Sequence, residues 1–377
     1  MSVEPLVAQL KGGLDAPICL TWELTYACNL ACVHCLSSSG RRDPRELTTA
    51  QAKRVLDELR ELQVFYVNIG GGEPMVRRDF FEIIEHAVAP PSGAGRIGVK
   101  FSTNGYFIDA DTARRLAALD YLDIQISLDG ADSTTNDRVR GAASFDTALR
   151  AMDHLTAAGF GPFKISVVAT RHNVPQLDRF KALADGYGAQ LRLTRLRPSG
   201  RAVDTWDDLH PTQGQQREIY RWLMEHGENV LTGDSFFHLN ALGDPLPGLN
   251  MCGAGRVVCL VDPIGDVYAC PFVIHDQFLA GNVNDPGGFT AVWKKSALFL
   301  SLREPQSAGA CASCGAFDAC QGGCMAAKFF TGLPLDGPDP ECVTADGDTT
   351  TASPVAVTMR PRPAQDHTKP SRTPVLT

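Results

Sequence analysis

The chain has 377 residues, twelve of them cysteine, and a formal charge of −8. That acidic balance argues against a nucleic-acid or anionic-membrane partner. Hydrophobic content of 44% with 21% charged residues is that of a globular chain with room for roughly two domains. No apolar run approaches the roughly 18 residues a membrane helix needs. The opening MSVEPLVAQLKGGL lacks the basic region and apolar core of a signal peptide, so a cytoplasmic location is expected. Thiols stay reduced there, and cysteines at short fixed spacings serve metal or redox chemistry rather than disulfides.

After an N-terminal extension (1–16), short β-rich runs alternate with amphipathic helical stretches over 17–210. The runs are ICLTWEL (18–24), VFYVNIG (64–70), IGVKFS (97–102), LDIQISL (122–128), FKISVVA (163–169) and QLRLTRL (190–196). Cys19, in the first, reads as a small buried hydrophobe. Val55, Leu56, Leu59 and Leu62 share one helical face, opened by Thr48 or Thr49 as N-cap. Phe81, Ile84 and Val88 repeat the pattern, as do Phe145, Leu149, Met152 and Leu155. Six βα units in series predict an α/β fold with a parallel sheet, either doubly wound or curled into part of a barrel. A helical linker (211–250) follows, with a helix near 212–226. The cysteine-rich segment 251–344 contains VVCLVDPIGDVYAC, which reads as a hairpin turning at DPIGD. The tail 345–377, poor in large apolar residues, is expected to be disordered.

Ligands in such sheets bind where strands end at their carboxyl edge. CNLACVHC follows strand one there, GGEP follows strand two and STNG follows strand three, while Ser127 and Asp129 end strand four. Cys28, Cys32 and Cys35 place three thiolates on one loop, enough for three irons of a 4Fe–4S cubane. The fourth iron, left open, can chelate the amine and carboxylate of an amino-acid-like sulfonium cofactor. A zinc site is the alternative, with His34 as its only local fourth ligand. Gly70, Gly71 and Gly72 allow close backbone approach, Glu73 offers a carboxylate to an ammonium, and Pro74 fixes the turn. Ser102, Asn104 and Ser127 can donate to a carboxylate or ribose. Arg140 offers a bidentate fork, and His34 a ring for an adenine face.

CNLACVHC, GGEP, STNG and QISLDG in this order resemble the radical S-adenosylmethionine enzymes. The resemblance implies a partial (β/α)6 TIM-type barrel whose three-cysteine cluster binds S-adenosylmethionine and generates a 5′-deoxyadenosyl radical. His34 departs from the Tyr or Phe common before the third cysteine. Further on, Cys252, Cys270, C-x-x-C at Cys311 and Cys314, then Cys320, Cys324 and Cys342 look like the SPASM extension, although C-x-x-C pairs also occur in zinc ribbons. That resemblance implies two auxiliary 4Fe–4S clusters, three in all. Cys252, Cys259, Cys270 and Cys324 would ligate the first, and Cys311, Cys314, Cys320 and Cys342 the second. Some relatives carry an Asp base directly after the Cys270 position; Pro271 stands here.

A longer match over about residues 12–343 resembles a peptide-maturing branch of that family. It implies oxidative decarboxylation of the C-terminal Tyr of a ribosomally made precursor peptide, then a C–C crosslink to the penultimate Val that closes a lactam. Other peptide maturation, of thioether or sulfatase type, and a non-catalytic iron–sulfur or zinc protein are the rival readings. An external electron donor is implied. Only about 16 residues precede the first strand, too few for a leader-binding module, so a separate small peptide-chaperone protein is expected. Arg195, Arg197 and Arg201 read as a solvated basic face, with capture of the precursor's carboxylate as the alternative.

Overall fold

The structure is a computed structural model that describes residues 10, 12–89, 95–232, 236–246, 251–304 and 308–344. The tail 345–377, residues 1–9 and 11 of the N-terminal extension and the end of the linker (247–250) lie outside the described residues. Strands β1 (Cys19–Thr25), β2 (Tyr66–Gly71), β3 (Gly98–Thr103), β4 (Leu122–Ser127), β5 (Lys164–Ala169) and β6 (Gln190–Arg195) pair in parallel in that order. A doubly wound sheet reverses its strand order about a switch point; this one does not, which is the arrangement of a barrel wall. Between strands lie α1 (Thr49–Glu61), α2 (Phe80–Val88), α3 (Ala110–Ala117), α4 (Ser133–Arg140), α5 (Ser144–Ala157) and α6 (Leu177–Gly186).

Side-chain alternation explains why the wall has two unlike faces. Leu20, Trp22, Val67, Ile69, Val99, Phe101, Ile124, Ile126, Ile165, Val167, Leu191 and Leu193 are fully buried and share one core with the helices. The intervening positions are polar: Thr21, Asn68, Lys100, Asp123, Gln125, Ser166 and Arg192. Helix α1 begins at the expected cap, where the Thr48 hydroxyl accepts from Gln51 N and the Gln51 side chain answers at the Thr48 backbone. On α2, Ile84 and Val88 are buried as expected, together with Phe80, Ile83 and Ala87, while Phe81 is only half-buried. On α5, Ala148 and Ala151 take the deepest places beside Met152 and Leu155, with Phe145 and Leu149 half-buried.

Beyond β6, α7 (Ala202–Leu209) and α8 (Gln213–His226) lead to a short parallel strand, β7 (Val230–Leu231), on the β6 edge. The hairpin forms as expected from β8 (Val258–Val261) and β9 (Asp266–Tyr268). Its turn is organised by the Asp262 carboxylate, which accepts from Ile264 N and Asp266 N, and by Gly265 at φ +90°. The hairpin also extends the barrel sheet, since β8 lies parallel against β1 with Leu20 opposite Cys259. Strand β10 (Leu279–Asn282) completes one ten-stranded sheet. The remaining helices are α9 (Gly288–Lys295), α10 (Ala297–Arg303), α11 (Phe317–Cys320) and α12 (Met325–Phe330). Among the described residues no helix is long and apolar enough to cross a membrane.

A buried ionic clasp ties the end of β6 to the segment between Cys324 and Cys342. Arg195 sends one nitrogen to each oxygen of Asp339 (2.6 and 2.9 Å), and its Nε donates to Glu341. Asp339 also accepts from Cys324 N (2.7 Å), and Gln216 donates to Glu341 (2.5 Å). Burial disfavours every charge here, yet the opposed charges win at two of them: Asp339 is held well below the usual carboxylate range and Arg195 well above its own. Removing one member of such a group strands the others. Arg195→Met is therefore expected to cost roughly 3–5 kcal/mol in urea unfolding of the apoprotein, against less than about 0.5 kcal/mol for Arg114→Met on the exposed face of α3.

Candidate functional site

The loop after β1 is closed at its base by backbone. Cys28 N donates to Gly40 O (3.0 Å) and Gly40 N to Tyr26 O (2.8 Å), so Ala27 and Gly40 pair as an isolated bridge. Within it Cys35 N donates to Cys32 O, turning the three thiols onto a tight path. The turn after β6 braces the loop from outside. Arg201 Nε reaches Cys32 O and its NH1 reaches Ser39 O, both at 2.8 Å, while Arg201 N donates to Cys35 O. Gly200, at φ +61°, has no room for a side chain: a Cβ there would lie 2.3 Å from the carbonyls of Cys35 and Leu36. Nothing local marks Gly200 or Arg201 in the sequence, because the carbonyls they serve lie far away along the chain.

The glycines of GGEP serve that same loop. Gly72 N donates to Thr25 O and Glu73 N to Ala27 O, each at 2.8 Å, and a Cβ on Gly72 would meet Ala27 O at 1.9 Å. Glu73 is thereby drawn under the mouth of the barrel and buried. Its carboxylate accepts from the Thr103 hydroxyl (2.9 and 3.0 Å), Asn104 N (2.9 Å) and Met75 N (3.3 Å). Burial outweighs these donors and pushes its pKa up to about 7. Pro74 opens the short 3₁₀ turn that follows. The Asn104 amide donates to Asn29 inside the cysteine loop (2.8 Å), so STNG and CNLACVHC are joined. Ser102 and Ser127 are half-buried on the polar face at the ends of β3 and β4.

Asp129, just past β4, is fully buried and gathers two residues that the sequence assigned to the cofactor. His34 Nε2 lies 2.9 Å and Arg140 Nε 2.7 Å from its Oδ2, as charge contacts without hydrogen-bond alignment. Val168 N donates to Oδ1 (2.7 Å), and the Asn136 and Asn173 side chains secure its backbone. Burial opposes the charge, but Arg140 and His34 overcome it and hold the carboxyl well below its usual range. Arg140 thus has its Nε on a protein carboxylate, where the sequence reading aimed its fork at a ligand. His34 Nδ1 is buried with no partner among the described residues.

All twelve cysteines are free thiols. Burial pushes the Cys28 thiol up to about 12, with contributions from Glu73, Cys32 and Cys35, and raises Cys32 despite Arg140. Cys270 is raised by burial and then by Cys252 and Cys324. Cys259 is raised by burial, then by Cys19 and Cys270. Cys320 is raised by burial and by Cys342, Cys311 and Cys314; Cys311 likewise responds to Cys342 and Cys314. These electrostatic neighbours link residues 28, 32 and 35; residues 252, 270 and 324, with Cys259 between Cys270 and Cys19; and residues 311, 314, 320 and 342. Buried thiols that oppose each other's ionisation suit a shared cationic centre, which reverses that cost. This donor chemistry fits iron–sulfur clusters. Among the described residues no three His, Cys, Asp or Glu side chains close around a single ion. Cys19 is half-buried beside Cys259, not the core residue expected.

The arginine run also differs from its reading as a solvated face. Arg195 and Arg197 are buried and Arg201 is half-buried. Arg195 is consumed by the clasp and Arg201 by the loop carbonyls. Their partners lie in distant segments, so local composition misreads them.

Comparison with known proteins agrees with this architecture. Residues 22–179 match the radical SAM superfamily and residues 252–315 an iron–sulfur cluster-binding domain, SPASM. The chain is 65% identical over 373 residues to mycofactocin maturase MftC of Mycolicibacterium smegmatis, covering 98% of this chain and 93% of that protein. It is also 65% identical to mycofactocin maturase MftC of Mycobacterium ulcerans, covering 98% of this chain and 99% of that one. In fold it is similar to SuiB of Streptococcus suis, solved bound to S-adenosylmethionine, with a TM-score of 0.71 at 20% identity, over 89% of this chain and 80% of that one. Shared domains and 65% identity over 98% of the chain lead to one conclusion: the chain belongs to the mycofactocin maturases, radical S-adenosylmethionine enzymes with a C-terminal SPASM domain.

Proposed function

We propose that the enzyme converts the C-terminal Val-Tyr of a ribosomally made precursor peptide in two steps. In the first, the tyrosine loses a Cβ hydrogen, its carboxyl group as CO2 and one further electron, leaving a tyramine-like alkene. In the second, the valine loses its Cβ hydrogen, bonds to the alkene and takes back an electron and a proton, closing a lactam. The observation that carries this reading is the barrel-mouth loop bearing Cys28, Cys32 and Cys35, joined to the GGEP and STNG turns, in a chain 65% identical to a mycofactocin maturase. A three-thiol site with S-adenosylmethionine supplies a 5′-deoxyadenosyl radical; two four-thiol sites supply places to store and return an electron.

The chain's own residues hold and shield. Cys28, Cys32 and Cys35 would ligate the radical-generating cluster, on a loop fixed by Gly40, Gly200 and Arg201. Glu73 would receive the cofactor's ammonium, with Ser102, Ser127 and the Gly71–Gly72 backbone beside it. His34, oriented by Asp129, would lie against the adenine. The groups Cys252, Cys259, Cys270, Cys324 and Cys311, Cys314, Cys320, Cys342 would ligate auxiliary clusters one and two. A separate small peptide-chaperone protein would deliver the precursor, and an external donor the electrons. In SuiB the precursor SuiA is bound by a chain of similar fold, which supports a peptide substrate here.

Anaerobic incubation with precursor, chaperone, reductant and S-adenosylmethionine is expected to remove about 46 mass units (CO2 and two hydrogens) in the first step. Loss of two mass units alone would instead indicate a simple crosslinker. Replacing Cys28, Cys32 and Cys35 together by Ala should abolish 5′-deoxyadenosine while keeping about eight of about twelve irons per chain.

Glu73 generates a pH test. Its carboxyl is raised from 4.5 to about 7 on folding, so its contribution to apoprotein stability is fully present below about 4.5 and lost as pH rises through about 7. Thermal unfolding of the apoprotein should show that decline between pH 4.5 and about 7, levelling off above, and Glu73→Gln should flatten it. In reconstituted enzyme the same variant is expected to weaken S-adenosylmethionine binding about tenfold by calorimetry, the scale of one charge-assisted hydrogen bond.

A further inference from the structure

Arg197 leaves β6 in the string RLRPSG and enters the cysteine-rich domain, where it is 6% exposed. Three contacts fix its guanidinium. It stacks over the Phe272 ring at 3.7 Å, two residues beyond Cys270. Its NH1 donates to Arg195 O (3.3 Å), and its Nε donates to Cys324 Sγ (3.5 Å). Its charge is also felt at Cys270. The cysteines proposed for the first auxiliary cluster therefore have a permanent cation in contact with one sulfur, that of Cys324, because a guanidinium does not give up its proton in a protein. The second group differs: Cys342 Sγ meets a neutral hydroxyl, that of Thr344, at 3.3 Å. Lys328, whose charge reaches Cys311, has its ammonium on the carbonyls of Leu335 and Gly337.

Hydrogen bonds to ligand sulfurs and nearby charge set the potential of an iron–sulfur cluster, since reduction adds a negative charge that a donor cation stabilises. We propose that Arg197 raises the reduction potential of the cluster held by Cys252, Cys259, Cys270 and Cys324, making it the acceptor of the electron released at decarboxylation. This rests on the cluster and decarboxylation reading above. The balance is one electron. A tyrosine Cβ radical that still bears its carboxylate breaks its Cα–carboxyl bond, loses CO2 and becomes the neutral alkene. The single electron left over reduces the cluster by one unit. Arg197 is a positioning residue in this step: it touches a ligand sulfur and acts through it.

The test is a redox titration followed by electron paramagnetic resonance on full-length protein with Cys28, Cys32 and Cys35 replaced by Ala, so that only the auxiliary sites report. Arg197→Met should lower the reduced-to-oxidised ratio of one cluster about tenfold at a fixed potential, equivalent to about 59 mV for a one-electron couple. The other cluster should not move. Arg197→Lys, which keeps the charge but not the flat stacking surface, should recover part of the ratio. An unmoved ratio with about eight irons retained would overturn the proposal. Loss of four irons in Arg197→Met would overturn it too, making Arg197 a brace for the site. If the parent without the three N-terminal cysteines holds no auxiliary iron, the cluster reading itself fails, and that outcome is distinct from either.

Discussion

Backbone geometry at the end of β1 is the constraint on which the candidate site depends. The bridge between Ala27 and Gly40 closes the cysteine loop, and the carbonyls of Thr25 and Ala27 then receive the GGEP turn. A Cβ at Gly72 would collide with Ala27 O, so that contact exists only because the residue has no side chain. The turn brings Glu73 beneath the mouth, and Glu73 in turn gathers Thr103 and Asn104 from β3. Three successive strand ends are thus linked through one loop base, with the Gly200–Arg201 turn pressing from the far side. Main-chain contacts of this kind are insensitive to side-chain rotamer and hold a loop in one register.

Charge is managed differently at two buried carboxylates, one after β4 and one after β2. Asp129 has cationic neighbours and stays ionised; Glu73 has only neutral donors and is raised toward neutrality. A carboxylate that is costly to ionise when alone is well suited to a cationic guest, because the guest's charge relieves a penalty already incurred on folding. The thiols follow the same logic. Packing them together without a metal opposes ionisation, and a cationic cluster core converts that opposition into binding free energy.

Much of this was legible in the sequence, for local reasons. The six strands were readable because alternation of apolar and polar residues repeats every two positions, and α1 because Val55, Leu56 and Leu59 recur on one face behind a threonine cap. The two cysteine-rich stretches were readable from spacing, and resemblance supplied the assignment of their members to clusters. What escaped was long-range. Arg195 looks solvated until Asp339 and Glu341 are brought to it from the far end of the chain. Gly200 looks like an ordinary turn glycine, since the carbonyls it must clear belong to Cys35 and Leu36. Arg140 was aimed at a ligand because nothing local shows Asp129 within reach. On α2, Phe81 was chosen over Phe80 because both are apolar, and only the packing against Phe101 decides between them.

The pairing of β8 with β1 has a consequence for how the two domains depend on each other. β1 is an interior strand of the sheet, with β2 on one side and β8 on the other. Without residues 251–344, β1 would become a bare edge, with a row of unpaired amides and carbonyls beside the cysteine loop. Exposed edges of this kind recruit other chains into continuous ladders. The SPASM domain therefore also seals the barrel against self-association. An excised barrel would be expected to aggregate even before its chemistry could be examined.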